Sequence, residues 1–167
     1  MRKVGDVRVT TMSIDDEQTI SRTVVINASP EVLYDMVADI DRMGEWSDTC
    51  TGATWDDGHG PIPADGAWFT GHNKVGDLKH DAHCEFVAAE RPLTIAWMQQ
   101  GRENGVTEWR YRFSPVDGGT EVTESWTLLR PFPPDRVDDK MARHMRRSFE
   151  QGIQETLAKL KASAEGS

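Results

Sequence analysis

The sequence predicts an α+β fold in which an antiparallel meander is covered on one face by a long C-terminal helix. Strand-like segments follow one another from Cys50 to Leu129, separated by turn signals at Asp57-Gly58, Asp65-Gly66, Val75-Gly76-Asp77, Glu90-Arg91-Pro92, Gly101 to Gly105 and Asp117-Gly118-Gly119. A proline-free stretch from Asp135 to about Ala162 then carries an apolar stripe of Val137, Met141, Met145, Phe149, Ile153, Leu157 and Leu160, spaced by three or four. Such a helix needs an apolar surface to cover, and a face of the sheet is the one large enough. With 167 residues, 37% apolar and 28% charged, the chain suits one folded domain with a single core.

Taken in order, residues 1–18 mix charge, Gly5 and a weak alternation at Val7 and Val9, which fits either a tail or an extra edge strand. The first clear strand is Thr19 to Asn27, where Ile20, Val24 and Ile26 share a face at a period of two. Ser29 then offers a cap, Pro30 suits the first helical position, and Val32, Leu33, Met36, Val37 and Ile40 recur at helical spacing. Gly44 allows a break after this helix, and Trp46 offers a large anchor to the core. The meander of about six strands follows, with the proline-rich loop His59 to Ala64 at its rim. Pro131, Pro133 and Pro134 end the last strand, Asp135 opens the long helix, and the domain is expected over residues 19–162, with 163–167 as a tail.

A net charge of −9 argues against a generic nucleic-acid binder. The concentrated positive stretch Arg136, Lys140, Arg143, Arg146 and Arg147 is interleaved with aspartates at its start and reads first as a solvated helix face, with a phosphate or partner site as the alternative. No apolar run approaches the roughly 20 residues of a membrane span, and the first residues lack a signal-peptide core, so integral membrane association is not expected and the cytoplasm is the expected location. Cys50 and Cys84 are too few for a disulfide framework and are expected to be reduced. His80 and His83, three apart on a strand, point to opposite faces and make a poor metal pair. There is no glycine-rich phosphate loop and no G-x-S-x-G elbow, so no cofactor is expected and nucleophile-based hydrolysis is set aside.

Four segments together resemble the START-like superfamily, also called the polyketide cyclase/dehydrase or SRPBCC family. They are Val24 to Tyr34 (VVINASPEVLY), Arg42 to Ser47 (RMGEWS), Gly66 to Asn73 (GAWFTGHN) and Gly119 to Trp126 (GTEVTESW), in an order that covers roughly residues 19–162. The resemblance implies the Bet v 1-like helix-grip fold, a sheet of about six or seven strands wrapped on the C-terminal helix with two short helices after the first strand. It also implies a container that members use to bind lipids, hormones, quinones or polyketides, to chaperone partners, or to catalyse cyclisation and dehydration; fold analogy does not choose among them.

Alternation along the strands places Phe69 and Asn73, then His80, Cys84 and Phe86, then Trp97, Trp109, Tyr111, Glu124 and Trp126 on the face that meets the helix. With Trp46, Met141, Met145 and Phe149 these apolar residues are the expected ligand-binding wall, since methionine and aromatic surfaces make adaptable apolar pockets. Glu124 is the most informative polar residue, because a carboxyl group on a buried face must be paired or protonated, and its pKa is then raised toward acid/base use. Tyr111, Asn73 and His80 are candidate neighbours for it or for a ligand carbonyl, while a structural tie from Glu124 to Arg22 or to a backbone amide is the competing reading. The expected partner is thus a small hydrophobic molecule such as a lipid, polyketide or aromatic metabolite. A cyclase or dehydratase activity and a protein-interaction role are the alternatives.

Overall fold

The computed structural model describes residues 19–131, 135 and 137–166. The expectations for residues 1–18, Pro133, Pro134 and Arg136 lie outside the described residues.

The described residues open with strand β1 (Thr19–Ile26), followed by helix α1 (Pro30–Ala38), a 3-10 turn at Ile40–Arg42 and the short helix α2 (Met43–Trp46). Strands β2 (Cys50–Trp55), β3 (Trp68–Val75), β4 (Leu78–Glu90) and β5 (Thr94–Gln99) follow, then a helical turn, α3 (Gly101–Asn104). Strands β6 (Thr107–Val116) and β7 (Gly119–Leu128) lead to the long helix α4 (Asp139–Glu165). The strands form one seven-stranded sheet in the order β1-β7-β6-β5-β4-β3-β2, with every pairing antiparallel. This is the helix-grip arrangement anticipated from the sequence.

Local chemistry explains the element boundaries. The Ser29 hydroxyl accepts from the Val32 amide at 3.3 Å with Pro30 in the first turn, which satisfies one of the open N–H groups of α1. Gly44 lies inside α2 rather than at a break after α1: a Cβ there would come within 2.7 Å of the Thr51 carbonyl oxygen, so a glycine lets the helix lie directly on β2. Gly119, at φ +136°, has the same role at the start of β7, where a Cβ would meet the Ile26 carbonyl oxygen at 2.0 Å.

Helix α4 starts three residues later than expected, because Asp138 and not Asp135 is the cap and accepts from the Met141 amide at 2.8 Å. It also runs on to Glu165, beyond the expected end at Ala162: Glu165 accepts from the Asn27 amide at 3.0 Å and from Lys161 at 2.7 Å, fastening the last turn to the end of β1.

The core lies between the concave face of the sheet and the helices. Ile20, Ile26, Leu33, Ile40, Phe69, Phe86, Ile95, Phe113, Val122, Trp126, Ile153 and Leu160 are essentially inaccessible, each burial of such a side chain contributing about 2 kcal/mol. The two halves of α4 differ. Ile153, Thr156, Leu157 and Leu160 are buried in the second half, whereas Ala142 alone is buried in the first half among the described residues. Gly152 divides them, with open space where a Cβ would stand.

Candidate functional site

The two central strands of the site are β6 and β7. Their register sets Trp109 opposite Trp126, Tyr111 opposite Glu124 and Phe113 opposite Val122, all on the concave face. Glu124 is 4% exposed and Tyr111 likewise, so a carboxyl and a phenol stand side by side in the core. The phenol lies beside the carboxyl and favours its charged form, while Glu124 Oε2 has no hydrogen-bond partner among the described residues.

Burial dominates the electrostatics of this pair. Loss of water pushes the Glu124 carboxyl up to about 8, against the opposing pull of the neighbouring Tyr111 phenol. Burial, and then the neighbouring carboxylate, pushes the Tyr111 phenol well above its ordinary value. At neutral pH the pair is therefore mainly neutral, and Glu124 is an acid with a proton to offer. Arg22 is the cross-strand neighbour of Glu124 on β1. Its guanidinium nevertheless turns outward, donating to the Ser21 carbonyl at 2.7 Å and approaching Glu150 Oε1 at 3.6 Å. Arg22 is thus not the tie to Glu124 that one reading of the sequence anticipated.

Aromatic rings surround the pair. Phe149 of α4 stacks on Trp126, with centroids 4.5 Å apart, and meets Trp109 edge-on at 5.8 Å. Trp97 stacks on Tyr111 at 6.0 Å and leads to Phe69 and Phe86, which lie 4.9 Å apart beside Trp55. Cys84 is buried opposite Phe69, its thiol pushed up to about 12 mainly by desolvation. Trp46 is buried at the end of α2, with the Arg42 guanidinium over its ring at 4.9 Å.

The remaining expected residues are placed differently. Asn73 and His80 face each other on the β3–β4 hairpin, separated from β6 and β7 by β5. Asn73 is half-buried and bonds the Gly71 carbonyl, whereas His80 is exposed. His80 keeps its inward parity, but β4 first meets β5 at Cys84↔Gln99, so the strand at residue 80 projects past the covered part of the sheet. Of the four polar candidates the structure brings together Tyr111 and Glu124. Met145 is half-buried and Met141 is 47% exposed, because the helix turns Ala142, next to Met141, toward the core instead.

Two groups escaped the sequence reading. Glu150 of α4 accepts from Arg146 at 3.0 Å and faces Arg22, forming an ion cluster at the edge of the aromatic site. On the convex face His72 lies between Asp81 and Thr54, at 2.8 Å from each, beside a cleft of about 350 Å³ lined by Thr51, His72, Asn73, Lys74, Lys79 and Asp81. The spacing of His72 from Asp81 carries no signal until the register of β2, β3 and β4 is known. A second cleft, of about 290 Å³, lies around Trp68 and α3. Neither cleft is lined by Glu124 or Tyr111; aromatic side chains fill the space under α4.

Comparison with known proteins supplies independent context. A family model described as polyketide cyclase/dehydrase and lipid transport matches residues 17–165. The chain is 30% identical to a polyketide cyclase-like protein of Corynebacterium glutamicum, with a TM-score of 0.63 over 89% of this chain and 91% of that one. It shares the fold of the di-domain ARO/CYC StfQ from the steffimycin biosynthetic pathway (16% identity, TM-score 0.70), covering 89% of this chain and 51% of that one. It shares it also with a START superfamily protein of Mycobacterium smegmatis (14% identity, TM-score 0.65), over 89% and 97% of the two chains. No curated protein matches.

Proposed function

Because this chain belongs to the polyketide cyclase/dehydrase and lipid transport family, we propose that it binds a small, largely apolar ligand between the concave face of its sheet and the first half of α4. The observation that carries the reading is Glu124 Oε2, a buried oxygen without a partner in an aromatic interior. An unsatisfied buried polar atom costs about 1–3 kcal/mol. A ligand that presents a hydrogen-bond acceptor, such as a carbonyl, to the neutral carboxyl would remove that penalty while its apolar body lies against Trp109, Trp126 and Trp97.

Room for the ligand comes from α4. In its first half Ala142 is the one buried side chain among the described residues and Phe149 packs half-buried on Trp126, and Gly152 lies where that half joins the anchored half. Glycine inside a helix weakens it by about 1 kcal/mol relative to alanine, so a ligand ring can take the place of Phe149 on Trp126 while the buried turns from Ile153 to Leu160 stay in place. The test is a titration with hydroxylated and carbonyl-bearing polycyclic probes, followed by quenching of tryptophan fluorescence. Saturable quenching that weakens in Glu124→Gln supports the reading; no quenching by any probe removes it.

A second reading, a cyclase or dehydratase, is favoured by one feature: a carboxyl held at about 8 is matched to proton transfer near neutral pH. In that case Glu124 gives its proton to a ligand carbonyl oxygen as an enol carbon of the same ligand bonds to that carbonyl carbon, and the enol O–H proton passes to the Glu124 carboxylate, restoring the acid, with Tyr111 beside it. Turnover by the wild-type protein that falls in Glu124→Gln by far more than the loss of ligand affinity accounts for distinguishes this from carriage alone, which shows no turnover in either form.

A further inference from the structure

We propose that the end of the domain formed by the β3–β4 hairpin tip and the first half of α4 docks on an anionic lipid bilayer. This goes beyond the ligand-binding reading and stands separately from it, since docking needs no occupied interior.

The hairpin supplies the apolar part. Val75 and Leu78 are paired at its tip, on either side of Gly76-Asp77, and are 56% and 68% exposed. Both lie on the concave-face side of the ribbon, while Lys74 and Lys79, paired next to them, lie on the other side. Two uncovered aliphatic side chains on a projecting turn, collared by lysines whose long stems can reach back to head groups, suit a water–lipid boundary better than open solvent.

The sheet register brings α4 to the same end. Residues 78–83 of β4 precede its first pair with β5, at Gln99, and that end of the sheet also holds Thr107, Leu128 and the start of β1. The contacts of Phe149 with Trp126 and of Glu150 with Arg22 lay the first half of α4 over these strand ends. There Met141 is 47% exposed, and Lys140, Arg143 and Arg147 follow on one exposed side of the helix. None of Lys74, Lys79, Lys140, Arg143 and Arg147 forms an ion pair among the described residues. Asp77 and Asp139 offset part of this charge, while Asp138 serves the helix cap and Asp81 pairs with His72.

A chain of net charge −9 that gathers unpaired cations and exposed aliphatic groups at one end is electrically lopsided. A negative membrane surface would orient it with that end inward. An acidic protein would use the cations equally well but has no need of Val75 and Leu78 on a protruding turn, which is why the bilayer is the favoured partner.

The experiment is flotation of the full chain with vesicles of phosphatidylcholine alone and of phosphatidylcholine mixed with phosphatidylserine, at low and high salt. The chain should float with the mixed vesicles. The paired changes Val75→Ser with Leu78→Ser, and separately Lys74→Glu with Lys79→Glu, should each lower the bound fraction at least about tenfold. Melting curves should stay unchanged, since all four side chains are exposed. Absence of flotation at low salt overturns the proposal, as does equal flotation with phosphatidylcholine alone. Loss in the lysine variant with none in the serine variant also overturns it, since Val75 and Leu78 would then have no part in the attachment.

Discussion

Tyr111 and Glu124 stand directly opposite each other on β6 and β7, both buried, and Oε2 of the carboxyl group is left without a partner among the described residues. Around this pair the sheet is aromatic and the covering half-helix is lightly anchored. The properties that can be measured follow from those facts.

The first concerns stability against pH. The folded-state pKa of Glu124, about 8, lies above its ordinary value of 4.5. The stability linked to this group is therefore fully present below about pH 4.5 and is lost progressively as pH rises through about 8. Denaturant unfolding should show a decline of a few kcal/mol across that window. Glu124→Gln should flatten the decline and leave the protein more stable than wild type at pH 8.

The same titration reaches ligand binding. A ligand acceptor bonded to the neutral carboxyl loses its donor when Glu124 ionises, so affinity for carbonyl-bearing probes should fall as pH passes about 8. Probes lacking an acceptor should show no such fall. Parallel fluorescence titrations between pH 6 and 9 measure the difference.

Helix α4 gives a kinetic prediction. Gly152→Ala adds a methyl group where nothing lies within 4 Å and should stabilise the helix by about 1 kcal/mol. It should also slow probe entry measured by stopped flow. Phe149→Ala should do the reverse, speeding entry and lowering stability by about 1–3 kcal/mol through loss of the Trp126 and Trp109 contacts.

The thiols should differ in a way their sequence positions do not reveal. Desolvation pushes both up, Cys84 to about 12, and Cys84 is buried whereas Cys50 is half-buried. Iodoacetamide at pH 8 followed by peptide mass spectrometry should find Cys50 modified slowly and Cys84 unmodified until the protein is unfolded.

Much of this architecture is legible in the sequence because the meander keeps a period of two. Alternation alone puts Glu124 between Val122 and Trp126 on the buried face of β7, and the structure has it there. Alternation does not say how far a strand is covered. His80 and Asn73 share the inward parity of Cys84 and Phe86, yet lie where β4 has outrun β5. Bulges hide in the same way, and the register shift between Phe86 and Ala88 leaves no mark in the composition of β4. The helical stripe names the face of α4 but not its depth, so Met141 and Leu157 look alike in sequence while one is exposed and the other buried. The tie expected from Arg22 fails for a related reason: the register makes it a neighbour of Glu124, and Glu150 on a distant element draws it away.

The central claim, that the interior around Glu124 receives a small apolar ligand, is tested most directly by native mass spectrometry of the protein isolated from its own host, followed by extraction and identification of what travels with it. The account predicts a stoichiometric, mainly apolar molecule with at least one hydrogen-bond acceptor, lost or strongly reduced in Glu124→Gln. A clean mass for the chain alone, together with no thermal shift across a library of apolar compounds, would contradict it and leave the aromatic interior as an ordinary filled core.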